Sequence, residues 1–282
     1  MENKKLEILV VEDEGFDTSI HPLNAIKILN KDPELLFRYS EGKCDIKNGK
    51  WDEKIYSELK ARAEEDLKTY NLIPKRLEKA LKEKGYDANI TIERDWNEGK
   101  KVLLPNYDVI ISDLGFPGDL KLSKEEVENL VKEKKKEIEK AYNAVIHHPW
   151  LYPPKYSLGV NLQDLAFDRS DVYESLAKKS ENYGFLRLGN HAKELRRKIT
   201  FYTDGLGHAH TSIPLGLITG LITPEEFEDV ANADIDGRNK LRFSRSKRLC
   251  VGYKYIFENW VNVIEESIKY QMKGGKIKKW QI

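Results

Sequence analysis

The stretch "NYDVIISDLGFPGD", residues 106–119, decides the fold because an aspartate follows a short apolar run. Val109, Ile110 and Ile111 are β-branched and stand between a Tyr-Asp pair and the Gly/Pro-rich "GFPG". Such a run is typical of a strand that is buried on both faces of a parallel sheet. Open α/β sheets bind ligands at the carboxyl ends of their strands, which is where Asp113 stands. The stretch therefore predicts either a ligand-site aspartate or a turn or helix-capping aspartate.

The rest of the chain contains four more strand patterns that alternate with helix patterns. The helix patterns have apolar residues at a spacing of three and four, as in "NLIPKRLEKALKEKG", which Gly85 should end. The alternation predicts an α/β fold with a doubly wound, five-stranded parallel sheet of order 2-1-3-4-5 and helical insertions. The other strand patterns are "LEILVV" (6–11), "DANITIE" (87–93), "ITFYTDGLG" (199–207) and "RLCVGYK" (248–254).

Two long segments interrupt this alternation. We interpret residues 1–282 as one domain with an insertion at 15–70, after strand 1, and another at 118–185, after strand 3. Both insertions contain amphipathic helix patterns, and Ser123 with Glu126 predicts a capping box in the second. The second also contains Trp150, Tyr152 and Tyr156, which disordered segments tend to lack. We therefore expect packed insertions.

Four of the five predicted strands end in polar residues that suit one shared site. They are Glu12 with Asp13, Asp113, Thr203 and Lys254. In the predicted order, the first and third strands flank the topological switch point, so three carboxylates should converge there. Carboxylates at close range repel each other unless a cation neutralises them, and Mg²⁺ takes carboxylate and phosphate oxygens. The pattern predicts a magnesium site in which a carboxylate attacks a phosphoryl group, while a lysine and a hydroxyl hold its oxygens.

These motifs resemble the receiver domain of two-component response regulators. That family has an acidic pair after its first strand, and Glu12 and Asp13 in "VVEDE" match this pair. It also has a phosphoacceptor aspartate that a proline follows four residues later, and Asp113 and Pro117 in "ISDLGFPG" match these two residues. "ITFYTDG" and "VGYKYIFENW" match the strand-end hydroxyl and lysine of that family at Thr203 and Lys254. The resemblance covers about half the chain. It implies that the backbone carbonyl of Gly115 completes the metal shell of Glu12, Asp13 and Asp113.

The resemblance implies a phosphoacceptor protein whose chemistry goes no further than self-phosphorylation and self-dephosphorylation. Its donor would be a histidine kinase or phosphotransfer protein, and its output would pass to a partner protein. Some positions depart from the family pattern: Asp204 replaces a small residue, Tyr255 a proline and Val251 an aromatic residue. These departures leave open a pseudo-receiver that binds partners without phosphotransfer. A phosphohydrolase of the haloacid dehalogenase type ranks lower, because Gly115 stands where that family has a second aspartate.

The composition limits the class of partner. In the 282 residues, 48 Lys and Arg nearly cancel 47 Asp and Glu, which argues against nucleic acid and anionic membrane surfaces. No apolar run approaches about 18 residues, so no membrane span is expected. Cys44 and Cys250 are far apart, which favours a reducing cytoplasm and argues against a zinc site or disulfide. We interpret His208 and His210 as surface loop residues rather than metal ligands.

Overall fold

The structure is an α/β fold with a mixed six-stranded sheet and helices on both of its faces. The computed structural model describes residues 5–13, 22–145, 162–167, 169–203, 211–231, 241–254 and 256–272. The strands are β1 (Leu6–Val11), β2 (Ala88–Glu93), β3 (Val109–Ser112), β4 (Thr200–Thr203), β5 (Arg242–Phe243) and β6 (Leu249–Val251), in the spatial order β2-β1-β3-β4-β6-β5.

The sheet is mostly parallel, but it has a sixth strand, so the predicted five-stranded, all-parallel sheet of order 2-1-3-4-5 is confirmed only in part. Five strands are parallel to their neighbours, but β5 adds an antiparallel edge, with Phe243 paired to Cys250. The extra strand has two residues, which is too short for a pattern of alternating apolar residues to reveal it. The last parallel strand also ends at Val251, so Lys254 lies in the turn beyond it rather than at the strand end.

The helices divide the chain more finely than the sequence patterns do. They are α1 (Pro22–Leu29), α2 (Pro33–Tyr39), α3 (Glu53–Glu83), a 3-10 helix (Glu98–Asn106), α4 (Lys124–Glu133), α5 (Lys135–Val145), α6 (Leu162–Ala166), α7 (Ser170–Ser180), α8 (Gly184–Glu194), α9 (Ser212–Ile218), α10 (Pro224–Ala231) and α11 (Phe257–Gln271).

Local signals explain where several helices begin and end. The predicted capping box of Ser123 and Glu126 is confirmed at the start of α4, and Asp52 caps α3 by accepting from the backbone N–H of Ile55. Gly85, at φ 85°, follows α3 in the left-handed region that favours glycine. The helix that starts after Ser123 ends at Glu133, and α5 begins two residues later, at Lys135.

The helix α3 joins two regions that the sequence patterns separate. Its 31 residues run through Pro74 and across position 70, where the first insertion is predicted to end. Proline has no N–H, so the helical hydrogen bond to the carbonyl of Tyr70 is missing. One rigid element therefore carries the insertion at its beginning and packs against the sheet at its end.

Three apolar clusters hold these elements together. The cluster on one face of the sheet includes Leu9, Ile110 and Phe201 and takes in α4 to α10. The cluster on the other face includes Ile8, Val10, Ile111 and Trp260 and is covered by α3 and α11. A third cluster joins α1, α2 and the first half of α3 through Ala25, Ile28, Leu36, Cys44, Tyr56, Leu59 and Ala63. The described parts of both insertions are thus packed, as expected, while Trp150, Tyr152 and Tyr156 lie outside the described residues.

None of the described helices is both long enough and apolar enough to cross a membrane.

Candidate functional site

The sheet backbone places Glu12 and Asp113 side by side. The N–H of Glu12 donates to the carbonyl of Glu93 at 2.8 Å, and the N–H of Asp113 donates to the carbonyl of Val11 at 2.9 Å. The parallel ladder therefore continues one residue beyond β1 and β3. As a result, the first acid of the pair and the predicted phosphoacceptor come from adjacent strands at the carboxyl edge of the sheet.

Three predicted ligand residues come together at this edge. One carboxylate oxygen each from Glu12, Asp13 and Asp113 lies within 4.8 Å of the others. Glu12 is 1% exposed, Asp113 is 3% exposed and Asp13 is half-buried. Oxygen ligands from several carboxylates suit a hard divalent cation, so this cluster could hold a metal ion.

Lys254 reaches the same carboxylates from the other side of β3. Its Nζ lies 3.0 Å from Glu12 Oε2 and 2.8 Å from Asp113 Oδ2. The lysine carbonyl accepts a hydrogen bond of 2.8 Å from Trp260 Nε1, and the Trp260 ring packs edge-on against Tyr202. This buried tryptophan fixes the turn after β6, so Lys254 reaches the acids although it lies outside the strand.

Burial dominates the electrostatics of Glu12. It raises the pKa of Glu12 well above its usual range, because a charged carboxylate is poorly solvated there. The Lys254 cation opposes this shift in pKa, while the negative charges of Asp113 and Asp13 add to it. A divalent cation at the cluster would oppose it as well.

Thr203 and Gly115 are close to the site without completing it. Thr203 is buried at the end of β4, and among the described residues its side chain forms no hydrogen bond to the three acids. A Cβ built on Gly115 would lie 3.5 Å from Asp113 Oδ2, so this exposed residue borders the carboxylate. Metal binding by the Gly115 carbonyl stays a prediction. Asp113 caps none of the described helices, since α4, the next one, is capped by Ser123.

Two residues beside the acids are absent from the predicted site. Tyr70 of α3 is 5% exposed, and its hydroxyl donates to the backbone carbonyl of Glu12 at 3.4 Å. The Arg94 guanidinium lies over the Tyr70 ring, 4.2 Å from its centre. Arg94 directly follows β2, so the strand-end rule used for the other strands would have selected it. Tyr70 had no such signal, because only the tertiary packing of α3 brings it to the edge.

The loop that follows Asp113 is pressed against α8. The N–H of Gly184 donates to the carbonyl of Phe116 at 2.7 Å. A Cβ on Gly118 would overlap the backbone of Gly184, and a Cβ on Gly184 would overlap the Phe116 ring and the carbonyl oxygen of Pro117. Both glycines are therefore needed for this close approach.

A polar network that runs from the buried Trp96 and His191 to the surface holds the same loop from its other side. Trp96 Nε1 donates to His191 Nδ1 at 3.0 Å, so the other ring nitrogen, 3.0 Å from Glu98 Oε2, is the protonated one. Arg187 pairs with Glu98 at 3.0 Å and with Asp119 at 2.9 Å. His191 thus has a structural role, and α8 is anchored to both loops that border the site.

Several residues of the sequence analysis lie outside the described part of the chain. They are Asp204, His208, His210 and Tyr255.

Comparisons of the chain with models of protein families, with curated proteins and with solved structures find no match.

Proposed function

We propose that this protein is a receiver-like phosphoacceptor, in which Asp113 accepts a phosphoryl group in a magnesium-dependent site. The observation that carries the proposal is the close group of Glu12, Asp13 and Asp113, with Lys254 bound to its two buried members. A purely structural carboxylate cluster would be costly, because three acids at close range, two of them buried, repel each other. A site for a divalent cation and a phosphoryl group explains why these acids are kept together.

In the proposed reaction an Asp113 carboxylate oxygen attacks phosphorus and forms an acyl phosphate. The P–N bond of a phosphohistidine breaks at the same phosphorus, and its electron pair leaves with the imidazole nitrogen, which takes up a proton. The donor is a histidine kinase or phosphotransfer protein, and the phosphorylated chain acts by contact with an output protein.

The residues around the phosphoryl group would bind either the metal ion or the phosphoryl oxygens. Glu12, Asp13 and Asp113 would hold Mg²⁺, which supplies positive charge next to the phosphoryl oxygens. Lys254, now 2.8 Å from Asp113, would move to a phosphoryl oxygen, and Thr203 would donate its hydroxyl to another. The Gly115 carbonyl would complete the metal shell.

One observation favours a second candidate, a pseudo-receiver that binds partners without phosphotransfer. Lys254 already compensates Glu12 and Asp113, and Asp113 is only 3% exposed, so access for a donor is restricted. In this alternative the lysine serves as the permanent cation of the site.

Labelling with acetyl phosphate distinguishes the two candidates. With Mg²⁺, the wild-type chain should gain the mass of one phosphoryl group, and Asp113→Asn should gain none, because an amide is not a nucleophile here. Asp87→Asn is the matched control, because Asp87 precedes β2 and therefore lies at the amino ends of the strands, away from the site. There it pairs with Lys5 at 3.9 Å. It should label like the wild type. A wild-type chain that binds Mg²⁺ but is never labelled, and does not bind beryllofluoride, would support the pseudo-receiver.

A further inference from the structure

A second cation stands in line with the acids, on the side away from Lys254. Val11 is paired with Glu93 on β2 and with Ser112 on β3. One residue further, the same register places Arg94 on one side of Glu12 and Asp113 on the other. Residues paired in this way share a face of the sheet. Arg94 therefore borders the acid cluster from the edge of the sheet.

Tyr70 holds this arginine in place. Its ring lies under the guanidinium at 4.2 Å, and its hydroxyl donates to the Glu12 carbonyl. The Tyr70 hydroxyl also forms a hydrogen bond with the Arg94 side chain. Arg94 is thus fixed on a ring that is itself attached to the backbone of the site.

The two cations differ in what they contact. Lys254 is buried and bound to two carboxylates, whereas Arg94 is partly exposed and, in the described part of the chain, pairs with no carboxylate. Stacking on a ring occupies the flat face of a guanidinium and leaves N–H groups at its rim. Such a group matches two oxygens of a phosphoryl anion.

We propose that Arg94 is an anion-binding residue of this site that contacts the oxygens of the incoming phosphoryl group. The inference rests on the proposed function and deepens it: the ligand class is a phosphoryl dianion. Three carboxylates repel such a dianion, and Arg94 offsets the repulsion on the side that Lys254 does not reach. Tyr70, which belongs to the long helix of the first insertion, is the positioning residue.

The rival explanation is that Arg94 only neutralises the acids. Arg94→Gln separates the anion-binding role from this rival explanation when the affinities for Mg²⁺ and for beryllofluoride are both measured. Loss of a nearby positive charge should leave the affinity for Mg²⁺ unchanged or increase it, so weaker beryllofluoride binding would not come from a lost metal ion. At saturating Mg²⁺, beryllofluoride binding followed by ¹⁹F NMR should weaken by about tenfold or more, and Arg94→Lys should restore part of it. The control is Arg76→Gln, since Arg76 stacks on the Phe257 ring in the same way and should not alter either affinity.

Each outcome decides the inference. Unchanged beryllofluoride binding in Arg94→Gln would overturn the anion-binding role of Arg94 and leave the proposed function intact. A loss of Mg²⁺ affinity that accompanies the loss of beryllofluoride binding would do the same. If the wild type binds no beryllofluoride, the phosphoacceptor role fails, and orthophosphate binding followed by ³¹P NMR decides. Orthophosphate binding that Arg94→Gln abolishes would keep the anion role; binding that is absent, or independent of Arg94, would overturn it.

Discussion

At the scale of single residues, the site is a balance of buried charges. Glu12 and Asp113 share one ammonium group, with Nζ to oxygen distances of 3.0 and 2.8 Å. Burying charged groups costs free energy that a single lysine offsets only in part, since the cluster also includes Asp13. The raised pKa of Glu12 is the direct expression of this imbalance.

The pH dependence of unfolding should reveal the state of Glu12. Its folded pKa is above the unfolded one, so the stability it contributes is present below the unfolded pKa and is lost as pH rises through the folded pKa. Without metal, the difference in unfolding free energy between wild type and Glu12→Gln should therefore fall as the pH rises from the usual glutamate pKa of 4.5 towards the raised folded pKa. Urea unfolding measures it, and Mg²⁺ should reduce the fall. A difference that rises with pH would contradict the assignment.

At the scale of elements, the contact between α8 and the loop after Asp113 is the closest one near the site. Gly118 and Gly184 approach each other backbone to backbone, and Phe116 packs into the core beside them. Because α8 also carries His191 and Arg187, a shift of this helix would move both loops that border the acids.

Substitution of Gly184 tests this contact. A methyl group there would overlap the Phe116 ring and the backbone of Pro117, so Gly184→Ala should lower the unfolding free energy by about 1–3 kcal/mol. It should also weaken Mg²⁺ binding by displacing the loop next to Asp113. The control is Gly99→Ala, since Gly99 is exposed and a Cβ there would have Asn97 Oδ1 at an ordinary contact distance of 3.4 Å. Equal stabilities of the two variants would disprove the role of the contact.

At the scale of the whole molecule, the chain is organised around unequal cores. Two large clusters cover the two faces of the sheet, while α1, α2 and the first half of α3 share a smaller third one. Among the helices that the structure describes, α3 alone belongs to both the small cluster and a large one, through Tyr56 and Leu59 near its start and Leu77 and Leu81 near its end.

Hydrogen exchange should follow this division. A small cluster opens at a lower free energy than the core of a sheet, so amides of α1 and α2 should exchange roughly tenfold faster, or more, than those of β1 and β3. Mass spectrometry of peptides from exchanged protein measures the rates. Equal protection in both regions would mean that the first insertion and the sheet unfold as one unit.

The sequence by itself determined the α/β class, the strands β1 to β4, and the positions of Glu12, Asp113 and Thr203 at or directly after strand ends. These succeeded because they depend on local rules: apolar runs mark buried strands, and turn residues end them. The capping box at Ser123 and the end of α3 before Gly85 follow from equally local signals.

Only the tertiary structure decided the antiparallel strand β5, the continuity of α3 through Pro74 and the residues that border the acids. A two-residue strand such as β5 exists through pairing with β6, and Tyr70 reaches the site because a 31-residue helix crosses the sheet face. The approach of Gly184 to Gly118 joins residues 66 positions apart. Such contacts depend on where distant segments pack, and local sequence patterns carry no information about that packing.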